Sequence, residues 1–323
     1  YLVDQGFRVF MMSWKNPDET YRDVGFEDYM QEGLLAAMGV VQSICDVKKI
    51  NLAGYCIGGT LMAHTLAYLA AAKKDIVQSA TFMTTMTDYT NTGDLGVFID
   101  EEQLAKLDAK MSEKGYLDGA EMAGTFSALR SADLYWGFVV NQYMLGEKPS
   151  AFDILFWNAN ATRMPFKMHS WYLRELYLNN SFAKGNVTML GEKLDMGKIA
   201  APIYMVGAQS DHITPWQSCY QGLAKMGSTS KRFALTKAGH VAGVCNPPTP
   251  EGKPVKRSFM VADAKAPLGE AWSATAETKP DSWWPDWKAW LADQSGKDIA
   301  APKSQGGNGY KILGAAPGTY VKE

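Results

Sequence analysis

The stretch of sequence that decides the fold is a glycine-rich box of eight residues, Ala53-Gly54-Tyr55-Cys56-Ile57-Gly58-Gly59-Thr60. It follows a short apolar run over 49–52 and precedes a helix-like apolar stretch over 61–69. A strand, then Gly-x-Cys-x-Gly, then a helix is typical of a nucleophile elbow, here with cysteine in place of the usual serine. We expect Cys56 at the apex of a tight turn, where Gly54 and Gly58 remove side chains that would otherwise collide.

The box also has a plainer interpretation. A lone cysteine in apolar surroundings is more often a small buried core residue than a nucleophile. Glycines on both sides of Cys56, with a strand before and a helix after, favour the nucleophile. The helix that begins after Cys56 directs its N-terminal N–H groups at the sulfur, which favours the thiolate over the thiol.

Composition narrows the range of functions. The chain has 323 residues, a formal charge of −2 and a pI near 6.2, which give no electrostatic case for binding nucleic acid. Its four cysteines lie far apart without a C-x-x-C pair, so they predict neither a disulfide framework nor a zinc site. A reduced, intracellular protein is therefore expected. No apolar stretch of the sequence approaches the length of a membrane span.

The start of the chain predicts a piece of a longer protein. Tyr1 is not an initiator methionine, and the sequence runs directly into a buried-strand pattern over 8–14. Because a natural protein rarely starts so close to a central strand, we expect earlier strands of the sheet before Tyr1. Targeting signals in that upstream part stay open.

Outside its middle part, the chain alternates strand and helix patterns. The patterns predict strands at about 7–14, 49–54, 79–83, 202–207 and 232–235, and helices at about 26–45, 61–69 and 216–226. Strands separated by helices imply an α/β fold, with a mostly parallel sheet covered on both faces.

The alternation stops between Asp88 and Lys198. This part holds many aromatic residues and the helical or apolar fragments 101–114, 122–129, 152–157 and 168–178. A helical cap inserted between two strands leaves this pattern, whereas an irregular stretch of roughly a hundred residues would be unusual in a main domain. We therefore predict a core at 1–88 and 199–323 and a mainly helical cap at 89–198.

The end of the chain combines a predicted loop with a predicted helix. Residues 246–282 are rich in Pro, Lys and Gly and predict a long surface excursion. Four tryptophans and a leucine then fall at helical spacing, Trp283, Trp284, Trp287, Trp290 and Leu291. This stripe favours a helix packed on the sheet, with a carbohydrate platform or an exposed apolar surface as the alternative.

A cysteine nucleophile needs a base, and the candidates are four histidines. His64 lies on the elbow helix among core residues, His169 belongs to the predicted cap, and His212 directly follows an acid. His240 lies in a glycine-flanked loop directly after the last core strand. We therefore expect His240 to be the base.

The acid that orients the histidine should follow the preceding strand, which gives the order nucleophile, acid, histidine. Asp211 does so, although the same residue also fits a helix N-cap. Asp195 and Asp263 are alternatives, but neither follows the end of a predicted strand. Cys56, Asp211 and His240 thus come from three separate loops in the expected order.

Five segments carry a resemblance to a known family. They are Ser13-Trp14-Lys15-Asn16-Pro17, Gly54-Tyr55-Cys56-Ile57-Gly58-Gly59, Asp211-His212-Ile213, Gly239-His240-Val241-Ala242-Gly243-Val244 and Trp283-Trp284-Pro285-Asp286-Trp287. Together they resemble the polyhydroxyalkanoate synthases over essentially the whole chain. The match is closest to class I, the bacterial poly(3-hydroxybutyrate) polymerases.

This resemblance implies an α/β-hydrolase fold with a cap over the cysteine, and an N-terminal domain before Tyr1. It implies an acyltransferase that polymerises (R)-3-hydroxyacyl-CoA, such as 3-hydroxybutyryl-CoA, into polyhydroxyalkanoate with release of CoA. By resemblance, Cys56 is the acylated nucleophile and His240 its base. Asp211 orients the histidine or helps to activate the incoming hydroxyl.

The resemblance also implies partners and a location. No prosthetic group or metal is expected, since CoA is only the carrier of the substrate and a product. The growing polyester chain and its granule surface are the other expected partners, in a cytoplasmic homodimer bound to granules.

Cysteine suits this reaction because thiolate attack on acyl-CoA exchanges one thioester for another and conserves the free energy of the acyl group. Transfer to a hydroxyl then runs downhill to an oxoester, and a dry pocket must favour that hydroxyl over water. We expect the N–H of Ile57 to stabilise the tetrahedral oxyanion. The second oxyanion donor in this fold follows an earlier strand, which we expect before Tyr1.

Two other functions stay open. A cysteine-nucleophile thioesterase or dienelactone-type hydrolase shares the fold and the triad but completes the reaction with water. A catalytically inactive scaffold that binds granules or partners through aromatic residues is the third function. An intact set of Cys56, Asp211 and His240 argues against the scaffold.

Overall fold

The computed structural model describes residues 1–129, 136–137, 139–148, 162–265, 270–316 and 318–319. The apolar segment at 152–157, which we predicted as part of the cap, lies outside the described residues.

The described residues fall into two compact units. The first holds those of 1–13, 27–96 and 175–318, and the second holds those of 14–26 and 97–174 together with residue 319. These boundaries differ from the predicted cap at 89–198, since both ends of that segment belong to the first unit. A cap over the cysteine stays a prediction.

Strands form one main sheet and two short ribbons in the described part of the chain. In chain order they are β1 (Ile50–Tyr55), β2 (Val77–Met83), β3 (Tyr116–Leu117), β4 (Met164–Pro165), β5 (Thr188–Met189), β6 (Glu192–Lys193), β7 (Ile203–Ala208), β8 (Lys231–Thr236), β9 (Ser258–Asp263) and β10 (Glu277–Pro280). The main sheet has the order β1-β2-β7-β8-β9-β10, and the ribbons are β3-β4 and β5-β6. The first four strands of the main sheet pair in parallel, as predicted, and β9 and β10 pair antiparallel.

Apart from Glu270–Thr275, which lies inside the predicted surface excursion, the helices correspond to predicted helical segments. They are α1 (Phe26–Asp28), α2 (Ala36–Cys45), α3 (Ile57–Ala71), α4 (Glu101–Lys114), α5 (Gly119–Leu129), α6 (Phe166–Trp171), α7 (Trp216–Lys225), α8 (Glu270–Thr275) and α9 (Trp284–Gln294). A π-helical run, Tyr29–Leu35, joins α1 to α2, and another, Tyr172–Leu178, continues α6. Helix α4 shows how sequence sets the bounds, since Asp100 accepts the N–H of Gln103 at its start and Gly115 ends it at φ 85°.

The core of the first unit lies on β7, every residue of which is buried. A central parallel strand is covered on both faces, which explains its continuous apolar sequence. Trp283 is fully buried and Trp287 nearly so, in one cluster with Tyr204 of β7. The Trp287 indole N–H donates to Thr81 Oγ1 of β2 at 2.9 Å. The predicted packing of the tryptophan stripe on the sheet is therefore confirmed for these residues.

The predicted strand at 7–14 is wrong, since these residues form no helix or strand and 9–14 are exposed. A strand forms only where a neighbour accepts its hydrogen bonds, and β1 is the end strand of the sheet, with β2 as its paired neighbour among the described residues. The segment is instead fastened by Arg8, whose guanidinium donates to the carbonyl of Gln305 at 2.8 Å. Apolar composition alone therefore misled the prediction.

The predicted surface excursion at 246–282 is also wrong in part. It contains β9, β10 and α8, and the side chains of Phe259, Val261 and Trp272 are buried. Alternating apolar residues in β9 place one face of the strand against the core. The flanking Pro, Lys and Gly residues obscured this short pattern in the sequence.

The turn from β1 into α3 has an unusual backbone. Cys56 lies at its apex, as predicted, with φ 52° and ψ −125°. An L-residue rarely adopts such angles, so the surrounding structure must hold them. The N–H of Cys56 donates to the carbonyl of Met83 at the end of β2, at 3.0 Å.

The glycines around this turn have different reasons to be glycine. A Cβ on Gly54 would lie 2.7 Å from the Cα of Gly59, so the close approach predicted for Gly54 is present. A Cβ on Gly58 would meet no heavy atom within 4 Å, so the collision predicted for Gly58 is wrong. The tight position is Gly59 instead, where a Cβ would lie 2.8 Å from Thr85 Cγ2 and closer still to its hydroxyl.

A buried carboxylate joins α9 to the sheet. Asp286 accepts from Arg232 Nε at 2.9 Å and from Arg232 Nη2 at 2.7 Å. It also accepts from the Tyr204 hydroxyl and from Lys279 Nζ, both at 3.0 Å. Although burial opposes the charge, these donors keep the pKa of Asp286 below its usual value.

Alanine at the two elbow glycines is expected to have opposite effects. Gly→Ala inside a helix stabilises by about 0.5–1 kcal/mol, and at Gly58, the second residue of α3, the added methyl group meets nothing within 4 Å beyond its chain neighbours and the helix's own backbone. Gly59→Ala forces a methyl group against Thr85, and overpacking of this kind costs about 1–3 kcal/mol. Urea unfolding of both variants measures the difference, and equal stability of the two would contradict the close contact at Gly59.

Asp286→Asn is expected to lower the free energy of unfolding by roughly 2–4 kcal/mol, because Arg232 and Lys279 keep their charges but lose the carboxylate closest to each of them. Asp263→Asn is the matched control, since Asp263 is 54% exposed and pairs with the same arginine at 3.9 Å. Exposed pairs of that kind contribute about 0–1 kcal/mol. Urea titrations measure the free energy of unfolding of the two variants. A similar small decrease in both would show that Asp286 does not stabilise the contact between α9 and the sheet.

Candidate active site

Three strands position the predicted site. Cys56 directly follows β1, Asp211 lies three residues beyond the end of β7, and His240 lies four residues beyond the end of β8. These strands are parallel, so their carboxyl ends lie at one edge of the sheet. The sequence order of the three loops therefore becomes a spatial cluster.

His240 lies between the cysteine and the acid. Its Nδ1 is 2.7 Å from Asp211 Oδ2, and both side chains are buried. An interaction with Cys56 also helps to raise the pKa of His240, and because Nδ1 faces the acid, Nε2 is the nitrogen left for the cysteine. The structure thus brings together all three residues that the sequence predicted.

The loop of Asp211 uses both carboxylate oxygens. Oδ1 accepts the N–H groups of Ile213 and Thr214, each at 2.9 Å, and Oδ2 accepts the hydroxyl of Thr214 at 2.7 Å. The N-cap of α7 is Pro215, so Asp211 closes the turn before the helix and is not its N-cap. The turn leaves Oδ2 directed at His240.

The protonation of the pair follows from these contacts. Burial disfavours the imidazolium, but hydrogen bonds and charge interactions with Asp211 and Cys56 raise the pKa of His240 to about 10. Burial also opposes the carboxylate, yet bonds from His240 and Thr214 hold the pKa of Asp211 below its usual value. An ionised Asp211 thus faces a protonated His240 at neutral pH.

The other histidines have structural settings. His64 is buried in α3, with Nδ1 2.8 Å from the carbonyl oxygen of Thr60 and its ring 3.8 Å from that of Phe182. Burial lowers its pKa to about 4, so its predicted packing role is confirmed. His169 is buried in the second unit, where burial likewise lowers its pKa to about 4, and His212 is half-buried.

The alternative acids are also occupied elsewhere. Asp195 accepts the N–H of Gly197 at 2.8 Å and caps a short 3₁₀ turn. Asp263 ends β9, lies exposed and pairs with Lys265 at 3.2 Å. Among the predicted acids, Asp211 is therefore the one that contacts the base.

The backbone around the cysteine offers an oxyanion donor. Ile57 is the first residue of α3, so its N–H has no acceptor inside the helix. The N–H groups of Gly59 and Thr60 donate to the carbonyl of Cys56 at 3.0 and 3.2 Å, which fixes the first turn. The position of Ile57 fits the predicted role, which stays a prediction.

Sequence reasoning missed three residues of this site. Thr214 contacts Asp211, and the Thr85 hydroxyl donates to the carbonyl of Met83 at 3.0 Å and lies 3.3 Å from that of Cys56. The ring of Tyr55 lies 5.1 Å from that of His240. A hydroxyl residue three positions after a predicted acid was the available signal for Thr214.

All four cysteines are free, and within the described ranges no three His, Cys, Asp or Glu side chains are placed to hold a metal ion. None of the helices described above combines the length and apolarity that crossing a membrane requires.

Whole-chain similarities point to one group of proteins. Poly(3-hydroxyalkanoate) polymerase of Methylorubrum extorquens is 44% identical over 322 residues, covering 100% of this chain and 52% of that protein. The subunit PhaC polymerases of Cupriavidus necator and Rhizobium meliloti are 40% and 39% identical, again over 100% of this chain and over 55% and 52% of their lengths. The chain thus spans about half the length of the curated relatives it matches, and the predicted resemblance is confirmed as sequence similarity.

A family model described as the alpha/beta hydrolase fold matches residues 1–247. That range includes β1, β2, β7 and β8 and all three predicted site residues. In this fold a nucleophile, an acid and a histidine follow parallel strands in that chain order, which is the arrangement found here after β1, β7 and β8. The chain therefore belongs to the α/β-hydrolase fold family.

Proposed function

We propose that this chain is the catalytic part of a poly(3-hydroxyalkanoate) polymerase. It acts as an acyltransferase that moves the (R)-3-hydroxyacyl group of a CoA thioester onto Cys56 and then onto a growing polyester. The observation that carries the proposal is a cysteine at the elbow apex, together with a buried histidine paired with an acid, in a chain 44% identical to such a polymerase.

The first step is thioester exchange. His240 Nε2 holds the proton of Cys56, and the sulfur attacks the acyl carbonyl carbon. The N–H of Ile57 stabilises the oxyanion that forms. The bond from carbon to the CoA sulfur then breaks, and the imidazolium returns its proton to that sulfur.

The second step forms the ester. A substrate hydroxyl gives its proton to His240 Nε2 and attacks the acylated Cys56, whose sulfur leaves as thiolate. Asp211 keeps the imidazole oriented through its bond to Nδ1, at 2.7 Å. The thioester formed in the first step keeps the acyl group reactive, so the second step runs downhill.

The proposal extends to partners. CoA brings the acyl group and leaves as product, so the reaction needs no prosthetic group or metal. The polyester granule surface, a homodimeric assembly and a cytoplasmic location belong to the same proposal. The names of the relatives support a polyester product, and the word subunit in several of them supports an assembly.

The identity of the acceptor is tested with the full-length protein and (R)-3-hydroxybutyryl-CoA. We expect CoA release together with insoluble polyester, because the proposed second step uses a hydroxyl. Soluble 3-hydroxybutyrate in amounts equal to the released CoA would establish a thioesterase instead. Release of CoA with neither polyester nor free 3-hydroxybutyrate would indicate a different acceptor, and it would also refute the proposed polymerase activity.

The nucleophile is tested by Cys56→Ala, which is expected to reduce CoA release by at least about 10³-fold, since no covalent thioester forms. Cys45→Ala is the matched control, because Cys45 is half-buried at the end of α2 and has no role in the proposed steps. Release of CoA at the wild-type rate by Cys56→Ala would refute the assignment of Cys56.

The pH dependence follows from the raised pKa of His240. An imidazolium that persists to about pH 10 can still protonate the departing CoA sulfur at pH 8–9, where a free histidine is already neutral. The single-turnover rate of CoA release is therefore expected to hold through pH 9 and to fall as the pH rises through about 10. A fall centred near pH 6.5 would show that the imidazolium is not stabilised, and His240→Gln should be slow throughout.

A further inference from the structure

The buried hydroxyl of Thr214 contacts both members of the acid–histidine pair. Its Oγ1 lies 2.7 Å from Asp211 Oδ2 and 3.2 Å from His240 Nδ1, and those two atoms are 2.7 Å apart. The three atoms therefore form a closed triangle. All three residues are buried, so water does not compete freely for these bonds.

The number of protons fixes the direction of each bond. An ionised carboxylate can only accept hydrogen bonds, so the Thr214 hydroxyl donates its single proton to Asp211 Oδ2. The Oγ1 lone pairs are then left to face the N–H at His240 Nδ1, which already donates to the same carboxylate oxygen. One hydroxyl thus contacts the acid as a donor and the base as an acceptor.

Thr214 is itself held from both sides. Its N–H donates to Asp211 Oδ1 at 2.9 Å, and its carbonyl accepts the thiol of Cys219 in α7 at 3.7 Å. Cys219 is fully buried. The hydroxyl therefore has little freedom to leave the triangle.

We propose that Thr214 is a positioning residue of this site, whose hydroxyl fixes the carboxylate of Asp211 and, through it, the ring of His240. The proposal rests on the proposed function, because it needs Cys56, His240 and Asp211 as the reacting set. Loss of the hydroxyl leaves a buried carboxylate oxygen with one donor fewer. The ionised form of Asp211 is then less stabilised, so the pKa of its carboxyl group rises.

The test follows alkylation of Cys56 by iodoacetamide in the full-length protein across pH 5–10, quantified on the Cys56 peptide by mass spectrometry. For Thr214→Val we expect the acid limb of the alkylation profile to move up by about one pH unit, and alkylation on that limb to be roughly 10-fold slower. Thr214→Ser keeps the hydroxyl and should restore both. Thr65→Val removes another buried hydroxyl, which donates to the carbonyl of Leu61 at 2.9 Å, and should leave the profile unchanged.

The same measurements on His240→Gln distinguish a failure of the role proposed for Thr214 from a failure of the proposed function. If His240→Gln alters the profile and Thr214→Val does not, the role of Thr214 is overturned alone. If His240→Gln itself leaves the profile at that of the wild type, the proposed function fails as well. Should Thr214→Val lose its cooperative thermal transition, Thr214→Ala is judged by the same criteria.

Discussion

The strained backbone of Cys56 is the constraint on which the rest of this structure depends. An L-residue at φ 52° is held only where its neighbours leave no better conformation. Here the carbonyl of Met83 accepts its N–H, and the contact between Gly54 and Gly59 lets α3 begin immediately after β1. Helix α3 is buried along most of its length, so tertiary packing supplies the free energy that keeps the turn closed. The position of the Cys56 sulfur is therefore held by the core.

A second constraint is the balance of charges in a buried place. Burial alone would make both Asp211 and His240 neutral, which would leave no imidazolium for the reaction. The contacts between them reverse both tendencies, and the backbone N–H groups of the Asp211 turn support the negative partner. Oδ1 of Asp211 accepts the backbone N–H groups of the turn, whereas Oδ2 contacts both His240 and the Thr214 hydroxyl. The stability of the turn and the protonation of the base share one carboxylate.

The sequence sufficed where one short pattern implied one geometry. The box around Cys56, and loops after strands for Asp211 and His240, led to residues that the structure places together. It failed where the outcome depended on distant partners, since the segment at 7–14 has strand composition but forms no ladder. Gly59 and Thr214 were missed for the same reason, because their importance comes from contacts with Thr85 and with the acid–histidine pair. A sequence therefore predicts residues that belong to a local motif, but it does not predict contacts between residues of different loops.

The geometry also orders the proposed reaction. Since Nδ1 of His240 is committed to Asp211, a single nitrogen, Nε2, serves every proton transfer. In the first step that nitrogen handles the proton of Cys56 and then of the CoA sulfur, and in the second step that of the acceptor hydroxyl. Sulfur and hydroxyl must therefore occupy the same place beside the ring at different times. CoA therefore has to leave before the acceptor binds. The acyl group stays on Cys56 in the interval, and the two substrates are never bound at the same time. Whether a hydroxyl or water attacks the thioester is then decided by which of them occupies the position beside the His240 ring while Cys56 is acylated.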